Sequence, residues 1–294
     1  MSTTETAVVT GASHGIGAGL VTRFLEKGYN VVGNSRAISD STNLTPSPQL
    51  ALVDGDIGDS ATAQKITDTA IARFGRIDVL VNNAGLLVSK PFVDYTPGDF
   101  EALVSTILAG FFYITQSAAK QMLHQQSGHI VNISTSVVDQ PIAGVPCALQ
   151  VLAKGGLHAV TRALAIEYAG QGIRINTVAL GAIETPMHKI EAHDFLKSLQ
   201  PIGRMGEIDE VVDAVMYLND AKFVTGEVLH VDGGAHAGKW YFLQAPMAGS
   251  CPVNLAIAVA DAVVWARRVL LCRARMRLPN GPPSFARGAL GRFN

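Results

Sequence analysis

Over roughly the first 235 residues, short unbroken apolar runs alternate with longer segments whose apolar positions recur every three or four residues. The short runs are rich in β-branched residues. They predict strands over Thr6–Thr10, Asn30–Asn34, Ala51–Asp54, Val79–Asn82, His129–Ser134, Arg174–Ala179 and Glu227–Val231. Most are continuous rather than alternating, the pattern of strands covered by helices on both faces. Between them the longer period predicts helices over Gly17–Lys27, Ser60–Phe74, Asp99–Leu123, Gln150–Ala169 and Ile208–Leu218. In the fourth of these, Leu157, Val160, Thr161, Leu164 and Ala165 form a broad buried stripe. Strand and helix in strict alternation specify an α/β fold: one doubly wound parallel sheet with right-handed crossovers and helices on both faces. Two prolines place Asn43–Pro48 in a surface loop. The weak periodicity of Thr185–Arg204 predicts a mobile flap over whatever binds nearby.

Composition adds limits to this picture. The 294 residues are 48% hydrophobic and 16% charged, with a formal net charge of −1, which gives no reason to expect a nucleic-acid partner. The charge is unevenly spread: from Tyr241 onward there are seven Arg, no Lys and one acid, Asp261. We expect residues 1–239 to form the domain and 240–294 a poorly ordered C-terminal extension. A membrane-surface helix over Val253–Leu271 is the weaker reading, and the central Asp261 counts against a transmembrane span. The lysine-free, arginine-rich tail also resembles translation of GC-rich DNA in a frame that selection has not shaped. Cys147, Cys251 and Cys272 are widely spaced and have no metal-ligand pairing, so neither a disulfide framework nor a metal is expected. The N-terminus lacks a basic region followed by an apolar run, and the expected location is the cytoplasm.

Candidate chemistry begins at the first strand's end. Thr10–Gly17 reads TGASHGIG and leads into a helix. Glycines at Gly11, Gly15 and Gly17 permit a tight turn and close approach of backbone to phosphate. The helix start, with Ser13, His14 and Ile16, offers free N–H groups to an anion. The second strand ends in Gly33-Asn34-Ser35-Arg36. An acid there would hold the 2′-hydroxyl of NAD; Ser35 and Arg36 instead suit the 2′-phosphate of NADP(H). The fold is therefore of Rossmann type and the expected cofactor is NADP(H).

Further motifs follow in order: Asp56-Ile57, NNAG at Asn82–Gly85, HIVNIS at His129–Ser134, Ala153-Lys154-Gly155, GIRINTVALGAIETPM, and TGEVLHVDGG at Thr225–Gly234. With them the chain resembles the short-chain dehydrogenase/reductase family over about residues 4–236. The resemblance implies that Asp56 and Ile57 border the adenine and that Asn83, Ala84 and Gly85 border the adenosine ribose. It implies Lys154 at the nicotinamide ribose and Thr185 at the nicotinamide amide. Dimers or tetramers built on the long central helices are also implied, with a small molecule as substrate.

The departures fall on the catalytic positions. The family's acid/base tyrosine stands four residues before the lysine, where this chain has Gln150, which offers no proton at neutral pH. The family's asparagine position is Ile107. Its serine position lands on Val137 counting back from the tyrosine slot and on Thr135 counting from the strand; Ser136 is our choice, with Thr135 beside it. Leu180 replaces the usual proline before Gly181. Ser136 or Thr135 with Gln150 could stabilise a developing oxyanion, the proton coming from Lys154 or from water it orders. An iminium substrate would need little acid help. His158, one turn beyond Lys154, is expected at a surface or interface, and Cys147 as a packed thiol. His188, Glu191 and His193 lack helix-face spacing for a metal, and Tyr113 and Tyr168 suit packing. Two functions follow: an NADPH-dependent reductase of a carbonyl or activated C=N or C=C bond, or a catalytically degraded, regulatory NADP(H)-binding protein. A non-redox lyase or isomerase is a weaker third.

Overall fold

A strand covered on both faces must bury every residue, and β1 (Thr6–Thr10) does. The computed structural model describes residues 4–45, 47–188 and 190–238. The extension expected at 240–294 lies outside the described residues. Around β1 stand β2 (Asn30–Ser35), β3 (Leu50–Asp54), β4 (Val79–Asn82), β5 (Gly128–Thr135), β6 (Ile173–Leu180) and β7 (Val228–Val231). They form one seven-stranded sheet in the order β3-β2-β1-β4-β5-β6-β7, every neighbouring pair parallel. The order reverses direction between β1 and β4, the switch point where α/β sheets open a crevice at their carboxyl edge.

The period-two alternation of side chains divides the core in two. Ala7 and Val9 pack with α1 (Gly15–Glu26) and α7 (Ile208–Asp220), through Leu20, Phe24, Val211 and Val215. Val8 faces the opposite layer, made by α2 (Ser60–Phe74), α4 (Gly110–Gln125) and α5 (Ala148–Tyr168), through Ile66, Ile114, Met122 and Ala165. Tyr113 and Tyr168 pack against this second layer. The segment Pro97–Gln125 is long and apolar enough to cross a membrane by length and composition, but Ile114, Ala118 and Met122 bury its inner face against the sheet.

Single-helix periodicity over Asp99–Leu123 did not show a change of winding. The chain runs as α3 (Pro97–Leu103), a π-helical stretch Val104–Ala109, and then α4. The wider winding leaves an apolar repeat almost unaltered, so only backbone geometry displays it. Within the flap, a short helix α6 (His193–Ser198) follows a single 3₁₀ turn.

One polar side chain fixes β6 to the end of α7. Arg174 donates from Nη1 to the carbonyls of Leu218 (2.8 Å), Ala221 (3.2 Å) and Val224 (3.1 Å), and from Nη2 to Asn219 (2.9 Å). Helix ends leave such carbonyls without intrahelical donors. Arg174→Met is therefore expected to cost about 2–4 kcal/mol, since it strands several partly buried acceptors at once. Urea denaturation with an unchanged m-value would show it.

Candidate active site and cofactor cleft

The turn after β1 is built for close backbone contact. Gly11 and Gly15 have φ of +64° and +57°, in the left-handed region. A Cβ on Gly11 would stand 2.8 Å from the Cα of Ala84, and one on Gly17 would strike the Gly11 carbonyl oxygen. Asn83 braces the turn by donating from Nδ2 to the carbonyls of Thr10 (2.9 Å) and Gly11 (3.1 Å). Thr10 Oγ1 in turn accepts from the N–H groups of Asn83 (3.1 Å) and Ala84 (3.0 Å). Helix α1 then starts without a side-chain cap and with no acid in its first turn. Its leading N–H groups are thus left facing the cleft, a ready anion site.

The end of β2 joins the same turn. The Ser13 N–H donates to Ser35 Oγ at 3.4 Å, while Ser41 Oγ and Asn43 Nδ2 donate to the Ser13 carbonyl at 2.7 and 2.9 Å. The loop expected at Asn43–Pro48 is thereby tied to the cleft, which its composition alone did not reveal. Arg36 is exposed and makes no ion pair or hydrogen bond among the described residues. Asp54, opposite Ser35 in register, is engaged instead by Ser39, whose hydroxyl and backbone N–H hold that carboxyl below its usual pKa. At the edge of the cleft, then, a free guanidinium stands near a carboxylate that is already satisfied.

The glycine turn, Ser13, Ser35, Arg36, Asn83 and Ala84 line one cleft of about 1010 Å³, and so does every residue singled out in the sequence as touching cofactor or substrate. Thr185 closes over the turn, its Cβ lying 3.8 Å from where a Cβ on Gly15 would be. Leu86, Leu87, Met187, Phe195 and Leu196 make the outer wall apolar. The flap helix α6 supplies two of them.

The lysine stands at the inner end. Lys154 Nζ donates to the Ile133 carbonyl at 3.4 Å and lies 4.0 Å from where a Cβ on Gly85 would be. Burial lowers its pKa from the usual 10.5 to about 8. Gln150, one turn earlier, is 5% exposed, and its Oε1 has no hydrogen-bond partner. Thr135 commits its hydroxyl to the Leu180 carbonyl at 3.3 Å. Ser136 is buried in the lining and hydrogen-bonds no other described side chain. Of the two hydroxyl candidates, Ser136 is thus the uncommitted one. Ile107 is buried in the π-helical stretch. With Thr10, Asn82, Thr106 and Lys154 it encloses a void of about 10 Å³, roughly one water in size. An aliphatic side chain there offers such a water neither donor nor acceptor.

Two other candidates resolve differently. Cys147 precedes α5 as a buried thiol in the lining, its pKa raised by burial. His158, expected at the surface, is instead 3% exposed, and its Nε2 lies 2.8 Å from Ser134 Oγ. The expectation failed because the periodicity of α5 says nothing about which polar group of β5 lies beneath it. The residue spacing Gln150, Lys154, His158 was the available signal: three polar residues at intervals of four share one helix face.

Comparison with known proteins agrees with this construction. The family model described as enoyl-(acyl carrier protein) reductase matches residues 11–236. The chain belongs to the short-chain dehydrogenase/reductase family. Among short-chain dehydrogenase/reductase relatives, the 2,3-dihydroxy-2,3-dihydro-p-cumate dehydrogenase of Pseudomonas putida is 36% identical over 247 residues, covering 79% of this chain and 94% of the relative. The 3-ketoacyl-(acyl-carrier-protein) reductase of Brucella melitensis, solved with NADH, superposes with a TM-score of 0.74 at 28% identity, covering 80% of this chain and 100% of the other. The gluconate 5-dehydrogenase of Burkholderia cenocepacia, solved with NADP and tartrate, does so with a TM-score of 0.73 at 30% identity, covering 80% and 96%. These short-chain relatives act on chemically dissimilar molecules, as expected when one fold hosts many sites.

Proposed function

We propose that this protein is an NADP(H)-dependent oxidoreductase that reduces a carbonyl or activated C=N or C=C bond of a small organic molecule, without the family's tyrosine. The observation that carries the reading is the continuity of one cleft. It joins an uncapped helix start and a glycine cradle at one end to Lys154, Gln150 and Ser136 at the other. A dinucleotide fits this cleft: Gly11 and Gly17 keep the turn tight where a Cβ would collide with Ala84 and with the Gly11 carbonyl, Gly15 supplies a left-handed φ, and Arg36 with Ser35 would hold a 2′-phosphate. The bound group supplies a transferable hydride. The chain's own contribution is to hold the acceptor carbon close and to stabilise charge on the neighbouring heteroatom.

The Brucella melitensis neighbour holds NADH and the Burkholderia cenocepacia neighbour NADP. The preference for NADP(H) therefore rests on Arg36. Arg36→Glu is expected to weaken NADPH binding by about 10–100-fold, replacing a charge-assisted contact with a repulsive one. Fluorescence titration with NADPH and NADH measures it, and equal wild-type affinity for the two would overturn the preference.

Turnover is tested by following NADPH oxidation against a panel of small carbonyl and imine compounds. The wild type is expected to turn over. Gln150→Tyr is expected to be faster by about 10–100-fold, because it restores a phenol beside the Lys154 ammonium. Tight NADPH binding with no turnover in either protein would instead favour a regulatory ligand-binding role, the reading that the loss of Tyr and Asn together supports.

We also propose a homodimer or homotetramer. Phe112 on α4 and Leu152 and Ile166 on α5 are 53%, 62% and 82% exposed, a large apolar area on the two longest helices.

A further inference from the structure

Ser134 on β5 is in register with Ala179 on β6, and Ala179 with His230 on β7. Residues in register turn their side chains to the same face of a sheet. Ser134 and His230 therefore flank a bare methyl group, and two side chains bridge the gap. His158 of α5 has Nε2 at 2.8 Å from Ser134 Oγ and Nδ1 at 3.3 Å from Asp139 Oδ2. The same Asp139 oxygen lies 3.0 Å from His230 Nε2. At Nδ1 the spacing is that of an ion pair, and this buried nitrogen has no aligned hydrogen bond.

The line runs from inside to outside. Ser134 is 1% exposed and lines the cleft beside Gln150 and Lys154, and the carbonyl preceding it accepts from Lys154. The side chain of Asp139, at the outer end, is 39% exposed. A buried hydroxyl in the substrate cleft is thus joined to solvent through an imidazole and a carboxylate. Packing does not require this order of groups, but proton transfer does.

We infer that Ser134 and His158, supported by Asp139 and His230, deliver to the substrate oxygen the proton for which Gln150 is unsuited. The inference rests on the reductase reading. As the carbonyl carbon accepts hydride from the reduced nicotinamide dinucleotide, the π pair of the C=O bond moves onto oxygen. The Ser134 O–H proton passes to that oxygen, and the Nε2 proton of the His158 imidazolium replaces it on Oγ. Neutral His158 remains, with its N–H at Nδ1 beside Asp139, and regains a proton from water by way of Asp139 and His230. Ser134 and His158 return to their starting states, and the net change is addition of one hydride and one proton.

The groups facing His158 are Ser134 on β5, Asp139 after β5, His230 on β7 and, on its own helix, Arg162 and Lys154. Burial lowers its pKa most, His230 and Arg162 lower it further, and Asp139 raises it. Delivery uses the protonated ring, so ketone reduction should quicken as pH falls through a value below 6.5.

The test uses the full chain with Ser134→Ala, His158→Gln, their combination, and Asp139→Asn. His158→Gln keeps a donor for Ser134 but does not titrate. NADPH binding by fluorescence should be unchanged in all four. Ketone reduction should fall about 10²-fold in each of Ser134→Ala and His158→Gln. The combined variant should be no slower than either, since the two act as one unit. The limb below pH 6.5 should vanish. Histidine-ring NMR of the substrate-free protein provides a readout independent of turnover: Asp139→Asn should lower the pKa of His158, which Asp139 raises. Wild-type rates and pH profiles in the variants, or a His158 ring titration unmoved by Asp139→Asn, would overturn the relay and leave the reductase reading intact. A wild type that binds NADPH but reduces nothing overturns the reductase reading and the delivery step with it, whatever the rings do.

Discussion

Lys154→Met is expected to cut NADPH-dependent turnover by about 10³-fold while making the protein more stable. The two effects have one origin. The ammonium lies in a partly apolar setting between Ile133, Ile107 and Leu157, and the Ile133 carbonyl at 3.4 Å is its hydrogen-bond partner among the described residues. Burial without a counter-charge disfavours the charged form and lowers its pKa to about 8. A lysine whose folded pKa lies below its unfolded value opposes folding wherever the unfolded chain is protonated. The penalty is full below about pH 8 and disappears as pH rises from about 8 towards the usual 10.5. At neutral pH, Met removes a penalty on the order of 1–3 kcal/mol and keeps the apolar stem. Turnover moves the other way, because the cation stabilises charge developing on the substrate oxygen in a water-poor cleft. Wild-type reduction should decline as pH rises through about 8, separately from the limb below 6.5 that belongs to His158. Urea unfolding and initial rates on the same preparations check both. A variant that is stabilised and equally active would remove Lys154 from the chemistry.

Gly17→Ala is expected to weaken NADPH binding by at least about 100-fold, with a stability loss of about 1–3 kcal/mol. The added methyl would collide with the Gly11 carbonyl oxygen and lie 2.8 Å from both Ala12 Cα and Asn83 Nδ2. Two of these neighbours are backbone, and neither can move alone. Gly11 is fixed by its left-handed φ and by Asn83, and Ala12 by its N–H bond to the Asn34 carbonyl at 2.9 Å. Relief requires α1 to shift away from the turn, which withdraws the helix N–H groups from the phosphates they would meet. Isothermal titration with NADPH, beside circular dichroism to confirm folding, separates lost binding from lost structure. Retained affinity in a folded variant would refute the phosphate role of this turn.

The strands were legible because all but the half-buried edge strand β7 are largely buried on both faces: β1 and β4 follow their apolar runs residue for residue, and the others differ at their ends by one residue. The dinucleotide end of the cleft was legible for a related reason. Turn, glycines and helix start are consecutive from Thr10 to Gly17, and Arg36 sits at the end of the next strand, so local chemistry identifies them without knowledge of packing. The π-helical winding at Val104–Ala109 and the tie between Asn43 and the Ser13 carbonyl were not legible, since both depend on backbone placement rather than residue type. The proton-handling end was the least legible. The sequence alone determined that Gln150 and Ile107 stand where a tyrosine and an asparagine would, and so left the donor open. Only the tertiary structure brought Ser134, Asp139, His158 and His230 together, from two strands, a turn and a helix. Ala179, the small residue between Ser134 and His230 in the sheet register, belongs to a third strand.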